Sequence, residues 1–101
     1  MIIYNVTVKV EQSIADAWLK WLLEEHLPEI MGTGCFASNK VVRLLEVDDS
    51  EGPTYAIQYH ADSKADYNRY IEMHAAGMRQ KSFDKWGNRF ISFRSVMQVV
   101  Q

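Results

Sequence analysis

The sequence predicts an α+β domain in which a strand–helix–strand unit occurs twice. In Ile2–Val10, apolar and polar residues alternate with a period of two, which is typical of a half-buried strand. Ser13 followed by Asp16, and Ser63 followed by Asp66, are helix-capping patterns that each come after a predicted strand, fifty residues apart. Two such units give a ferredoxin-like βαββαβ order, with four antiparallel strands and helices on one face.

The first helix is predicted to start at Ser13 and to run at least to His26. Pro28 lacks an amide hydrogen and crowds the preceding turn, so the helix either kinks there or ends and restarts with Pro28 in a first turn. Gly32 and Gly34 are expected to end it, since glycine tolerates the left-handed conformation of a C-cap.

The rest of the chain supplies three more strands and a second helix. Ser63 is the predicted N-cap of that helix, and Gly77 is its predicted end. Two central strands flank a polar, turn-rich loop and are expected to form a hairpin. The predicted elements are strands at residues 39–47 and 54–60, a short helical segment at 78–87 and a last strand at 90–100.

The internal repeat does not decide which side chains of the third strand point toward the helices. Equivalence with the first strand places Gln58 and His60 toward the helices. Tyr55, Ile57 and Tyr59 would then point outward, unless a β-bulge reverses the pattern.

Two strands carry apolar residues on both faces, as in Val41 beside Val42, and Phe90 three residues before Phe93. Two helices cover only one face of a four-stranded sheet, and an uncovered apolar face marks an interaction site. The sequence therefore predicts a homodimer in which the sheet faces pack together as a dimeric α/β barrel.

Composition bounds the classes of function. A chain of 101 residues is expected to form a single domain over residues 1–101. The net charge of −2 and the scattered basic residues argue against nucleic-acid and membrane partners. Cys35 is the only cysteine and is expected to be a small buried hydrophobe. With no signal-peptide pattern at the start, these features predict a cytoplasmic protein.

A family resemblance is carried by the first helix and by the third strand. The residues are Trp18, Trp21, the segments 25–28 and 33–36, Tyr55 and the pair 58–59. With them, nearly the whole chain resembles a family of short bacterial proteins catalogued as a domain of unknown function. The element order is more remotely similar to the dimeric α/β-barrel superfamily, which includes cofactor-independent monooxygenases, haem-degrading enzymes, stress-response barrel proteins and ligand-sensing domains of regulators. Such a topology does not fix function.

The haem-degrading branch implies an asparagine on the first strand and a tryptophan and a histidine on the second helix. Asn5 and His74 fall in those elements, but Tyr70 stands where the tryptophan is expected. Asn5 also alternates with Thr7 and Lys9, away from the apolar face. None of those roles is transferred, and no cofactor is predicted.

The most site-like stretch runs from Trp18 to Gly34. His26 is interpreted either as a proton shuttle or polar anchor in a pocket between helix and sheet, or as a structural histidine near a helix end. Glu25 and Glu29 are paired carboxylates or a solvated acidic edge; without a recognisable ligand motif, no metal site is predicted.

A polar pocket is predicted if His26 and His74 meet across the two helices above Tyr59. The alternative is that each histidine is separately hydrogen-bonded. Trp18 and Trp21 form core or wall an aromatic pocket. The predicted ligand-binding residues are Trp21, Glu25, His26, Glu29, Tyr59, Tyr70 and His74, with His26 and His74 as the catalytic candidates.

Four basic residues in the last third of the chain could bind an anion: Arg79, Lys81, Arg89 and Arg94. Scattered basic side chains are usually surface groups, and Arg94 is the exception because it lies inside a strand.

The sequence favours a non-catalytic homodimer that binds a small molecule or is structural. The alternative is a cofactor-independent oxygenase or isomerase acting on a small aromatic or planar substrate, with His26 or His74 as base. Haem binding is a third hypothesis.

Overall fold

The computed structural model describes all 101 residues as a ferredoxin-like α+β fold, as predicted. Its four strands form one antiparallel sheet in the order β2-β3-β1-β4, and the helices cover one face of it. None of the helices combines the length and the apolarity that a membrane crossing requires. The elements are β1 (Ile2–Val10), a 3₁₀ turn (Gln12–Ile14), α1 (Ala15–Trp21), a π-helical turn (Leu22–His26), α2 (Leu27–Met31), β2 (Ser38–Arg43), β3 (Thr54–Ala61), α3 (Lys64–Met73), α4 (Ala75–Trp86) and β4 (Phe90–Gln98).

The first helical region continues past Pro28 without a non-helical residue. It stays helical from α1 to α2, and the winding widens in the π-helical turn directly before the proline. There the amide of Leu27 donates to the carbonyl of Leu22, five residues back. Pro28 lies in the first turn of α2, where its missing amide hydrogen costs least. The left-handed residue after the helix is Gly34, with φ 76°, whereas Gly32 keeps a helical conformation.

The two predicted capping serines behave differently. Ser63 caps α3, because its hydroxyl accepts a hydrogen bond of 3.1 Å from the amide of Asp66. Ser13 lies inside the 3₁₀ turn and donates to the carboxylate of Glu11 instead, so the first predicted cap is wrong. An extra turn before α1 therefore breaks the exact equivalence of the repeat.

The predicted end of the second helix at Gly77 is also wrong. The helix is interrupted at His74, with φ −128°, and Gly77 lies inside the following helix α4. α4 runs on to Trp86 and includes the segment for which only a short helix was predicted. Gly87, with φ 61°, ends it.

The register of the sheet decides how β3 faces. Tyr59 pairs with Tyr4 and Ile57 pairs with Val6, so these residues share the face that packs on the helices. The pairing is continuous from Thr54 to Ala61, without a bulge. The facing inferred from the repeat is therefore wrong, because β3 extends one residue further toward its cap than β1 does.

The core lies between this face and the helices. Trp18 is buried and stacks on Tyr55, with ring centroids 5.6 Å apart. Tyr4 and Phe36 stack at 6.2 Å, and Cys35 is buried as predicted. These aromatic contacts hold the first helix and the loop after α2 on the sheet.

The opposite side of the sheet, here called the open face, carries no helix. From β1 it presents Ile3, Asn5, Thr7 and Lys9, as the register requires. One of the two apolar sets of β2 and of β4 lies here. Its members are Val42, Ile91, Phe93 and Met97, which are 38%, 71%, 61% and 39% exposed.

Candidate functional site

A cavity of about 90 Å³ lies between the helix-covered face of the sheet and the helices. Twelve of its seventeen lining residues are hydrophobic, including Trp21, Leu22 and Met78. Its polar groups come from six different elements, and an apolar pocket with a few convergent polar groups is the usual form of a small-molecule site. The polar groups are the hydroxyls of three tyrosines counted among the twelve, Tyr4, Tyr59 and Tyr70, and the side chains of His26, Arg79, Ser82, Ser92 and Arg94.

His26 reaches the cavity from the end of the π-helical turn. Its ring stacks on Trp21, with centroids 4.5 Å apart, and its Nε2 lies 3.4 Å from the Ser82 hydroxyl of α4. Burial lowers the pKa of His26 from 6.5 to about 4, and Lys81 also lowers it, whereas the carboxylate of Glu29 raises it. The imidazole is therefore neutral at pH 7.

Trp21 forms one wall of the cavity. This was one of the two roles considered for it from the sequence. Besides His26, it contacts the edge of Trp86 at 5.9 Å, which joins the first helical region to α4. Trp18, whose ring is 3% exposed, belongs to the core but also borders the cavity.

Tyr59 and Tyr70, both predicted ligand-binding residues, lie at the cavity. Burial is the main cause that raises the pKa of each phenol above its usual range, with a further contribution from neighbouring tyrosines. Both hydroxyls stay protonated at neutral pH and can donate a hydrogen bond.

His74 does not line the cavity, so the expected meeting of His26 and His74 above Tyr59 does not occur. Its ring stacks on Tyr70 at 6.1 Å, and its amide donates to the Tyr70 carbonyl at the break between α3 and α4. Asn5, the other residue of the haem-degrading pattern, lies on the open face and donates to Thr7 at 3.0 Å. The sheet therefore separates Asn5 from His74.

Glu25 and Glu29 do not line the cavity, but they form a second groove together with Trp21, His26 and Lys81. Both are exposed, and Glu29 forms an ion pair with Lys81 of α4. No group of three histidine, cysteine or carboxylate side chains is placed to hold a metal ion. Of the two carboxylates, Glu29 is paired with a cation and Glu25 is not.

Arg79, Ser82 and Arg94 line the cavity but were not among the predicted ligand-binding residues. Arg94 pairs with Val6 across the sheet and so faces the helices. The signal for it was present, because a basic residue inside an alternating strand is unusual. Arg79 was named as a residue that could bind an anion, but neither Arg79 nor Ser82 could be placed at the cavity, since α4 was not predicted as one helix from Ala75 to Trp86.

Comparison with known families identifies the chain. The family model described as a domain of unknown function (DUF4286) matches residues 1–100. The chain belongs to this family. No curated protein matches the DUF4286 chain significantly.

Solved structures similar to this DUF4286 protein share its fold over nearly the whole chain. A dimeric ferredoxin-like protein from an uncultured marine organism is 14% identical, with a TM-score of 0.69 over 99% of this chain and 95% of that chain. A protein of the ethyl tert-butyl ether D (EthD) family from Bacillus halodurans is 11% identical, with a TM-score of 0.67 over 99% and 100%. A Deinococcus radiodurans protein named after the antibiotic biosynthesis monooxygenases is 13% identical, with a TM-score of 0.66 over 100% and 94%. At these identities the likeness establishes the fold alone.

Proposed function

We propose that this protein is a cytoplasmic, non-catalytic homodimer that binds a small molecule in the cavity between sheet and helices. The observation that carries the proposal is the composition of the cavity. Apolar walls from the sheet, the first helical region and α4 surround neutral His26 and the hydroxyls of Tyr59 and Tyr70. Such walls supply affinity through burial, and the few polar groups orient the ligand.

The open face supports the dimer. It exposes large apolar side chains on β4 that no helix covers, with Ile91 71% and Phe93 61% exposed. Grouped apolar residues of this size favour association. A second copy presents the same apolar face, so a two-fold axis buries both at once. Two of the structural relatives are themselves described as dimeric ferredoxin-like proteins.

The second candidate function is a cofactor-independent oxygenase or isomerase with His26 as general base. A neutral imidazole beside the Ser82 hydroxyl in an apolar cavity favours it, as does the monooxygenase name of one structural relative. His74 is no longer a candidate base for chemistry in the cavity, because it lies outside. A base with a pKa of about 4 is far below the value near pH 7 that general base catalysis requires, so binding is favoured over catalysis.

A screen of small ligands, both charged and neutral, tests the binding function by amide chemical shifts in two-dimensional NMR spectra. Met78→Trp places a larger side chain in the cavity and is expected to abolish binding of every hit. Met73→Trp is the matched control, since Met73 lies on α3, is 70% exposed and does not line the cavity. Both melting temperatures are measured to show that the variants fold.

If ligands bind equally well to Met78→Trp and to the wild type, the cavity is not the binding site. If no compound in the screen shifts the resonances of cavity residues, the binding function is wrong. Turnover of a hit that His26→Phe abolishes, while binding remains, would favour the enzymatic alternative.

A further inference from the structure

The cavity is positively charged although the chain carries a net charge of −2. Arg79 of α4 and Arg94 of β4 both line it, and no aspartate or glutamate does. His26, the remaining titratable base among the lining residues, is neutral at pH 7. Two cations therefore meet at one apolar cavity without a balancing anion.

Neither arginine forms an ion pair or a side-chain hydrogen bond within the protein. The ion pairs of the protein join Lys9 to Glu51, Arg43 to Asp49, Arg69 to Asp66 and Lys81 to Glu29. Arg79 and Arg94 form none, and both side chains remain exposed at the mouth of the cavity. Both positive charges act on the hydroxyl of Tyr70. Each lowers its pKa, although burial has the larger effect and raises it.

We infer that the ligand of this cavity carries a carboxylate, which Arg79 and Arg94 bind at the mouth, and a compact aliphatic body, which occupies the apolar interior. This inference rests on the proposed function and names the class of ligand. The planar guanidinium fork matches the two oxygens of a carboxylate, and such charge-assisted hydrogen bonds are stronger than neutral ones. Tyr70, protonated at neutral pH, is placed to donate a further hydrogen bond.

The size of the cavity limits the apolar body. An engineered protein cavity that binds benzene measures roughly 150 Å³, whereas the cavity here measures about 90 Å³. The enclosed space therefore suits a small apolar group, and a branched aliphatic group of about four carbons matches the apolar walls.

The test compares 3-methylbutanoate with its neutral isostere 3-methylbutanamide, by NMR titration of the full-length protein at pH 7. The carboxylate is expected to bind at least about tenfold more tightly than the amide, because only it forms charge-assisted hydrogen bonds. Arg79→Gln and Arg94→Gln are each expected to weaken binding of the carboxylate about tenfold. Arg89→Gln is the matched control, since Arg89 lies outside the cavity, and it is expected to bind like the wild type.

Equal affinity for the carboxylate and the amide would overturn this inference and would leave the binding function in place. Loss of affinity in Arg89→Gln equal to that in Arg94→Gln would also overturn it, because the effect would then come from overall charge. Binding of neither compound would overturn it as well, and the broader ligand screen with Met78→Trp decides the proposed function separately.

Discussion

Opposing influences act on the ring of His26. Burial beside Trp21 disfavours the charged imidazolium, and Lys81 adds to this effect, while the carboxylate of Glu29 partly offsets it. Glu29 is itself paired with Lys81, so its attraction for a proton on His26 is reduced. The outcome is a neutral ring that can exchange a hydrogen bond with Ser82.

This balance predicts how stability depends on pH. The pKa of His26 is about 4 in the folded protein against 6.5 in the unfolded chain, so the unfolded chain takes up the proton first as the pH falls. Stability is expected to fall between pH 6.5 and pH 4, by up to roughly 3 kcal/mol, and this contribution is constant below pH 4. Urea unfolding of wild type and His26→Phe at one protein concentration measures it.

The variant His26→Phe keeps an aromatic ring beside Trp21 but cannot titrate. It is expected to lose the part of the pH dependence between pH 6.5 and pH 4 that belongs to His26. If the two proteins show the same pH dependence in that range, His26 is not held neutral by its surroundings. His74→Gln serves as the control and is expected to keep the His26 contribution.

At the level of single residues, the sequence could identify the side chains whose chemistry is unusual for their position. His26, Tyr59, Tyr70 and Trp21 were predicted and do line the cavity. His74 was misplaced, because the break between α3 and α4 at that residue left no mark in the sequence. Whether any of these residues binds a ligand stays a prediction.

The β2–β3 loop crosses the end of β1 in close contact. The amide of Gln12 donates to the carbonyl of Glu51, and the amide of Val10 donates to Pro53. Gly52 lies between these contacts with φ 144°, and a Cβ there would lie 1.8 Å from the carbonyl oxygen of Val10. Only glycine fits this contact.

Gly52→Ala is therefore expected to destabilise the protein by at least about 2 kcal/mol, since the loop must leave the strand or the backbone must shift. Gly77→Ala is the matched control, because Gly77 is helical and a Cβ there meets no atom within 4 Å. It is expected to stabilise by up to about 1 kcal/mol through helix propensity. Denaturant unfolding measures both, and a Gly52→Ala variant as stable as wild type would contradict the close approach.

The elements themselves were largely predictable, and their boundaries less so. Alternation in β1 and the cap at Ser63 are local signals, so β1 and the start of α3 were correct. Gly77 was misinterpreted because packing of α4 on the cavity side overrides the weak propensity of one glycine. The π-helical turn depends on packing around Leu22 and His26, which a local pattern does not contain.

The molecule as a whole has two different faces, one covered by helices and one open. On the open face, the large apolar side chains of Phe93 and Ile91 are mostly exposed to solvent. The sequence predicted this asymmetry because two helices cannot cover both faces of a four-stranded sheet. The covered face contains the cavity, and the open face is free for a second copy.

Phe93→Glu is expected to convert the proposed dimer of twice 11.7 kDa into a monomer, because it buries a charge in the apolar contact. Phe83→Glu is the matched control, since Phe83 is 59% exposed but lies on α4, away from the open face. It is expected to leave the mass unchanged. Light scattering measures both, and a wild type that is already monomeric would refute the dimer.

The π-helical turn Leu22–His26 also bears on how the chain can change in length. It contains one residue more than an α-helical turn, as the hydrogen bond from the Leu27 amide to the Leu22 carbonyl shows. Loss of one residue there would let the segment close into a regular α-helix and would keep Ile30 directed into the core, whereas the same loss within α1 would rotate everything after it by about 100°. A one-residue gap at Leu22–His26 in a related sequence would therefore mark a protein whose first helical region is α-helical throughout.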